Sequence, residues 1–260
     1  MFIYASLLGL AASNHRKPLL IASPKALLLP EAFQVSMDIQ PQLPNRPFAH
    51  LREAKSASYH APLAALNCSV KDYHIGTYLQ SFKYFINSRE AVLREFRFQP
   101  SVRKVCDAIL QNITRNGGQK CRLVGAHFRR GDFKLKANQQ YGHAPATPEY
   151  ARASIQYFRK LYRKQSCVRF MVLGNDYEWN LQNLPNGSDV FVLHPNSAPV
   201  DMCLLASGTD NIVSTGAFGW WAAFIAGGPA TVQARFSRPG SAQIGKYNIT
   251  TYWLPHWKPL

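Results

Sequence analysis

The residues best placed to do chemistry are Arg129, Arg130 and Asp132, which close the run Leu123-Val124-Gly125-Ala126-His127-Phe128-Arg129-Arg130-Gly131-Asp132. An apolar stretch of strand length that ends in two fixed cations, in an α/β setting, points them at an anionic ligand in the crevice beyond the strand. Arginine suits that task because its planar fork offers phosphate two parallel hydrogen bonds and stays charged at every relevant pH. Gly131 lets the backbone turn sharply or approach a ligand closely. Taken alone, the four residues also fit an ordinary surface ion pair after a strand.

A second group runs from Asp201-Met202-Cys203-Leu204-Leu205-Ala206 to Asn211–Ala223. Ser214, Thr215 and Gly216 fall where a strand should end and a helix begin, and the backbone N–H groups and hydroxyls of such a terminus make an anion site. Trp220 and Trp221 read as helix packing rather than as a ligand platform. A third group, Tyr73–Tyr84, mixes rings with hydrogen-bonding tips, which suits carbohydrate, though an aromatic-rich loop has the same composition.

The elements that must carry these groups alternate from Arg122 onward. Strand-like runs at Leu123–Phe128, Val168–Leu173, Asp189–Leu193, Asn211–Thr215 and Thr231–Ala234 are separated by helix-like runs at Pro148–Gln165, Val200–Ala206 and Phe218–Ala226. Such alternation predicts a parallel sheet covered on both faces. Upstream, Met1–Ala12 reads as the buried helix of a Rossmann-like unit, Pro18–Ala22 as a strand and Ser101–Thr114 as an amphipathic helix. The turn Asn116-Gly117-Gly118 is a natural linker, which predicts two α/β lobes, residues 1–118 and 119–260.

Composition narrows the partners. Thirty Lys and Arg against 14 Asp and Glu give a net charge of +16, a field that favours polyanions, phosphorylated ligands or an anionic membrane face. A basic nucleotide- or nucleic-acid-binding protein without catalysis is therefore one reading. Against a nucleic-acid track, the cations are dispersed: Arg159, Lys160, Arg163 and Lys164 fit the solvated face of one helix. No Asp-x-Asp motif and no His/Cys cluster with metal-ligand spacing occurs. The cysteines at 68, 106, 121, 167 and 203 form no Cys-x-x-Cys pair, and Cys106 reads as a core thiol. Sequons at Asn67, Asn112, Asn186 and Asn248 exceed the roughly one or two expected by chance and tilt the chain toward the secretory pathway. No run of about 18 apolar residues is present to span a membrane.

In order along nearly the whole chain, these groups resemble the family 11 glycosyltransferases, the α-1,2-fucosyltransferases. His127-Phe-Arg-Arg-Gly-Asp132 is similar to that family's His-x-Arg-Arg-Gly-Asp motif, and Ser214-Thr-Gly-Ala-Phe-Gly-Trp-Trp221 to its Thr-Phe-Gly-Trp-Trp. Asp201–Ala206 and Gly76-Thr-Tyr-Leu-Gln-Ser-Phe-Lys-Tyr-Phe85 have counterparts as well. Ala217 departs from the threonine usual there.

The resemblance implies an α/β, GT-B-like architecture of two Rossmann-like lobes with parallel sheets, an acceptor-side lobe first and a donor lobe second. It places the family's opening strand, glycine-rich turn and membrane anchor before Met1. It further implies transfer of L-fucose from GDP-fucose to the 2-hydroxyl of a terminal galactose on a glycan, with inversion. No metal or other cofactor takes part and nucleic acid is not a partner; the complete protein would be a type II membrane protein of the Golgi lumen. An inactive fucosyltransferase homologue is the alternative.

Under this resemblance Arg130 is the principal diphosphate ligand, and Arg129 a second ligand or an orienting pair. Asp132 is the first choice of general base or else an arginine's ion-pair partner, with His143 and Glu149 in reserve. His127, Asp201, Ser214, Thr215 and Gly216 are the remaining nucleotide-side candidates, His127 as a hydrogen-bonding residue at the strand end.

Overall fold

The computed structural model describes every residue except 68, 77, 117, 118 and 166, with backbone alone at 115, 116, 119 and 120. Cys68, Thr77 and the glycines of the expected linker turn thus lie outside the described residues. The chain divides into two compact units, Met1–Gln99 with Gly245–Pro255, and Pro100–Ile244 with His256–Leu260.

The first unit opens with α1 (Phe2–Ser13), apolar on all sides and accordingly buried at Phe2, Tyr4, Ala5, Leu10 and Ala11. Gly9 is required by packing: a Cβ there would lie 2.1 Å from the Tyr84 carbonyl oxygen and 2.6 Å from Phe85 Cα. Among the described residues of this unit, two short pairs of strands run parallel, and a single parallel bridge joins Ala57 to Tyr247. The strand pairs are β1 (Leu20–Ile21) with β2 (Ile39–Gln40), and β3 (Ala49–Leu51) with β4 (Tyr73–Ile75). Helix α2 (Arg89–Glu95) is tied to α1 through Glu95, which accepts a hydrogen bond from the Tyr4 hydroxyl at 2.5 Å.

The second unit begins with α3 (Pro100–Thr114), whose buried stripe is Val102, Cys106, Leu110 and Ile113. Then follow β5 (Arg122–Phe128), α4 (Pro148–Leu161), β6 (Val168–Gly174), α5 (Tyr177–Asn183), β7 (Val190–Val192), α6 (Ala198–Ala206), β8 (Asp210–Val213), α7 (Ala217–Ala226), β9 (Ala230–Val232) and β10 (Lys258–Pro259). The division falls before α3 rather than after residue 118 because α3 packs its stripe on α6.

The sheet runs β10-β9-β8-β5-β6-β7 and every pairing in it is parallel. Read outward from β5, the chain fills one side of the sheet and then the other, the doubly wound order whose reversal lies between β5 and β8. Val124, Ala126, Phe128, Phe170, Val172 and Ile212 pack against Tyr150, Ala151, Ile155 and Phe158 of α4. Trp220 and Trp221 of α7 are 0% and 1% exposed, core residues as expected.

A disulfide joins Cys121 to Cys167, just ahead of β5 and β6. Closing a loop of this length contributes about 4 kcal/mol in the chain-entropy account. Cys106 and Cys203 are free and buried. None of the described helices is long and apolar enough to cross a membrane.

Candidate active site

The reversal between β5 and β8 is where a doubly wound sheet opens a crevice beyond its strand ends, and the predicted residues gather there. Val213 is in register with His127. One residue on, the fully buried Ser214 closes the two strand ends: its Oγ accepts from the Arg129 N–H at 2.9 Å and donates to the His127 carbonyl at 3.1 Å. Thr215 is 4% exposed. Gly216 has φ +84°, in the region that favours glycine, and a Cβ there would lie 3.3 Å from Arg129 Cδ. The arginine stem thus passes over the turn that starts α7, and no side chain caps that helix. Its free N–H groups and the nearby guanidinium are the components of an anion site.

The two arginines are held differently. Arg129 places its fork on Asp132, Nε to Oδ1 at 3.2 Å and Nη2 to Oδ2 at 2.9 Å, with side chains 31% and 43% exposed. Its guanidinium lies 4.9 Å from the Phe133 ring centre. Arg130 is the more enclosed, 17% exposed. It donates to the Ala146 carbonyl, sits 4.2 Å over the Trp179 ring and lies 3.5 Å from Asp176. Burial alone would raise the Asp176 carboxyl, but the Lys134 ammonium bonded to it at 2.9 Å and the Arg130 charge hold it below the usual range.

Asn175, which is not among the residues singled out from the sequence, fixes the backbone of the motif. Its Oδ1 accepts from the N–H groups of both Arg130 (2.9 Å) and Gly131 (3.0 Å). A Cβ on Gly131 would lie 2.1 Å from Asn175 Nδ2, so a side chain there would push the Asn175 amide out of place. The available signal was the parallel pairing of β5 with β6, which places Gly174 beside Phe128 and therefore Asn175 and Asp176 beside the arginines.

The other candidates lie as follows. His127 is 7% exposed, with Nδ1 lacking a hydrogen-bond partner among the described residues, and burial followed by the Arg129 charge brings its pKa down to about 3. It is a neutral ring packed on Phe218, centres 5.1 Å apart. His143 stacks on Phe133 at 4.3 Å. Burial lowers its pKa, and it feels both Asp132, which raises it, and Arg129, which lowers it. Glu149 is 77% exposed and pairs with Arg152 at 3.6 Å in the first turn of α4. Asp201 bonds to Asn196, accepting from its N at 3.1 Å and its Nδ2 at 3.0 Å, and burial raises its pKa. Among the described residues no group of three or more His, Cys, Asp or Glu is gathered to hold a metal ion.

The profile of glycosyl transferase family 11 matches residues 1–259. The chain belongs to this family. Among curated proteins, the family 11 chain is 28% identical over 264 residues to galactoside alpha-(1,2)-fucosyltransferase 1 of Saimiri sciureus, covering 98% of this chain and 69% of that protein. It is 27% identical to the Homo sapiens protein of the same name, covering 98% and 70%. Among solved structures it resembles fucosyltransferase NodZ from Bradyrhizobium, with a TM-score of 0.55 at 15% identity over 85% of this chain and 86% of that one. NodZ alpha-1,6-fucosyltransferase soaked with GDP-fucose gives 0.50 at 14% identity over 86% and 87%. The family 11 chain thus has the expected α/β, GT-B-like fold.

Proposed function

We propose that this protein transfers L-fucose from GDP-fucose to the 2-hydroxyl of a terminal galactose on a glycan, with inversion and without a metal. The observation that carries the reading is the placement of Arg129 across the Ser214–Gly216 turn, at the β5/β8 reversal and beside the uncapped start of α7. The names of the family 11 relatives support fucose and the α-1,2 linkage.

The acceptor O2 attacks the fucose anomeric carbon as the bond from that carbon to the β-phosphate oxygen breaks. Asp132 takes the proton of the attacking hydroxyl, and GDP leaves with the bonding pair. The leaving diphosphate gains charge in the transition state, so fixed cations aimed at it lower the barrier. Arg129 turns its fork from Asp132 to the diphosphate, which frees the carboxylate for the proton. Arg130, fixed by Trp179, Asp176 and the Ala146 carbonyl, contributes charge and shape from the enclosed side. Ser214, Thr215 and Gly216 lend the anion-binding turn, while His127 and Asp201 shape the nucleotide side.

Residence in the Golgi lumen as a type II membrane protein belongs to the same proposal. The disulfide and the exposure of all four sequon asparagines support an oxidising, glycosylating compartment. The test is GDP release from GDP-fucose, GDP-mannose and UDP-galactose with a β-galactoside acceptor and excess chelator. Acceptor-dependent release from GDP-fucose alone is expected; loss of that release with chelator refutes the metal-free step.

A further inference from the structure

Phe133 follows Asp132 in the one-turn segment Gly131–Lys134, and hydrogen bonds from outside hold that segment in place. Asn175 Oδ1 accepts from the N–H groups of Arg130 and Gly131, and Asn138 Nδ2 donates to the Asp132 carbonyl at 2.8 Å. The Phe133 ring is 7% exposed and stacks on His143, with centres 4.3 Å apart and planes 23° from parallel. His143 is itself anchored. Its N–H donates to the Asn138 carbonyl at 3.0 Å, an antiparallel bridge joins it to Ser237, and the Tyr141 ring centre lies 5.4 Å away. Every one of these residues belongs to the second unit.

The Arg129 guanidinium lies over this ring, 4.9 Å from its centre. Among the described residues its hydrogen bonds go to Asp132 alone. When the fork leaves that carboxylate, the ring is the contact it keeps. The two contacts differ in kind. A hydrogen bond weakens steeply as its angle opens, whereas the pull of a ring face on a cation depends on distance from the centre rather than on where the fork points. A guanidinium can therefore turn over the ring without losing it. That pull also grows as water is removed from the cation, and a bound diphosphate would cover a side chain that is 31% exposed without it.

We infer that Phe133 is the positioning residue on which Arg129 turns from Asp132 to the donor diphosphate, its ring held still by His143; this rests on the fucosyl-transfer reading above. The ring keeps the freed guanidinium beside the Ser214–Gly216 turn, so the fork meets the diphosphate with less of its freedom left to lose. An aliphatic side chain would fill the same space and offer no such hold.

The experiment is calorimetric titration of GDP into protein carrying mono-, di- and trifluorinated phenylalanine at position 133, since fluorine drains negative charge from the ring face with little change of shape. The GDP Kd should rise with each fluorine and reach about fivefold at the third. In an Arg129→Ala background the same series should be flat, because the effect passes through that cation. A flat series with Arg129 in place overturns the pivot and leaves the donor reading standing. An equal slope in the Arg129→Ala background also overturns it, because the ring then acts by another route. A wild-type protein that binds no GDP overturns both.

Discussion

Arg129 and Asp132 grip each other through two hydrogen bonds, of 3.2 and 2.9 Å, at the C-terminal end of the central strand β5. The pair is partly exposed, so water screens it and it costs little to open. The carboxylate occupies the same fork that a phosphate would take. On the proposed reading the pair is an exchangeable one, in which donor binding transfers Arg129 to the diphosphate and leaves Asp132 unpaired beside the reacting hydroxyl.

Arg129→Lys keeps the charge and loses the fork. GDP affinity should fall about 10- to 100-fold, the worth of one or two charged hydrogen bonds, measured by isothermal titration. Unchanged affinity would take the diphosphate away from Arg129. Arg130→Lys should also weaken GDP binding, and it should lower the unfolding midpoint because the Trp179 stack is lost.

Asp132→Asn keeps the shape and removes the base. The expected outcome is a fall in kcat of about 100-fold or more with GDP affinity held or improved, since Arg129 is no longer neutralised. Retention of most of the turnover would move the base elsewhere, with His143, stacked on Phe133, next in line.

Gly131→Ala should destabilise the second unit by about 2 kcal/mol in urea unfolding, through displacement of Asn175 and loss of its two backbone bonds. Asn175→Asp retains the accepting oxygen and should recover most of that stability. Equal losses in the two variants would show that the Oδ1 bridge is not what holds the motif.

His127 gives a pH dependence of definite sign. Its pKa is about 3 in the folded protein against an ordinary value of 6.5, so between these values the unfolded chain binds a proton that the folded chain does not. Stability is therefore complete above pH 6.5 and declines as pH falls toward 3, by up to about 4–5 kcal/mol. Urea midpoints across this range should fall with pH in the wild type and less steeply in His127→Phe. Parallel slopes would place the dependence in other groups.

Much of the second unit was legible because its signals are local. The apolar runs placed β5 and β6 to within a residue, and the strand β8 ends two residues before Thr215, which leaves Ser214–Gly216 in the turn. Helix α5 and the terminal strand β10 were not anticipated, since a seven-residue helix and a two-residue strand have too little period to read.

The site was legible as far as one strand carries it. Both arginines were placed at the end of β5, but which one is enclosed depends on Trp179, Asp176 and Ala146, supplied by other turns of the chain. The domain division shifted for a similar reason: α3 belongs to the second unit through its packing on α6, and a glycine pair cannot report that.

The central claim is the reaction itself, and the product's linkage tests it most directly. The protein should be incubated with GDP-fucose and a β-galactoside, and the product analysed by two-dimensional NMR. The account predicts a single new α-fucosyl residue on O2 of galactose; a β-anomer, attachment at another hydroxyl, or free fucose alone would contradict it.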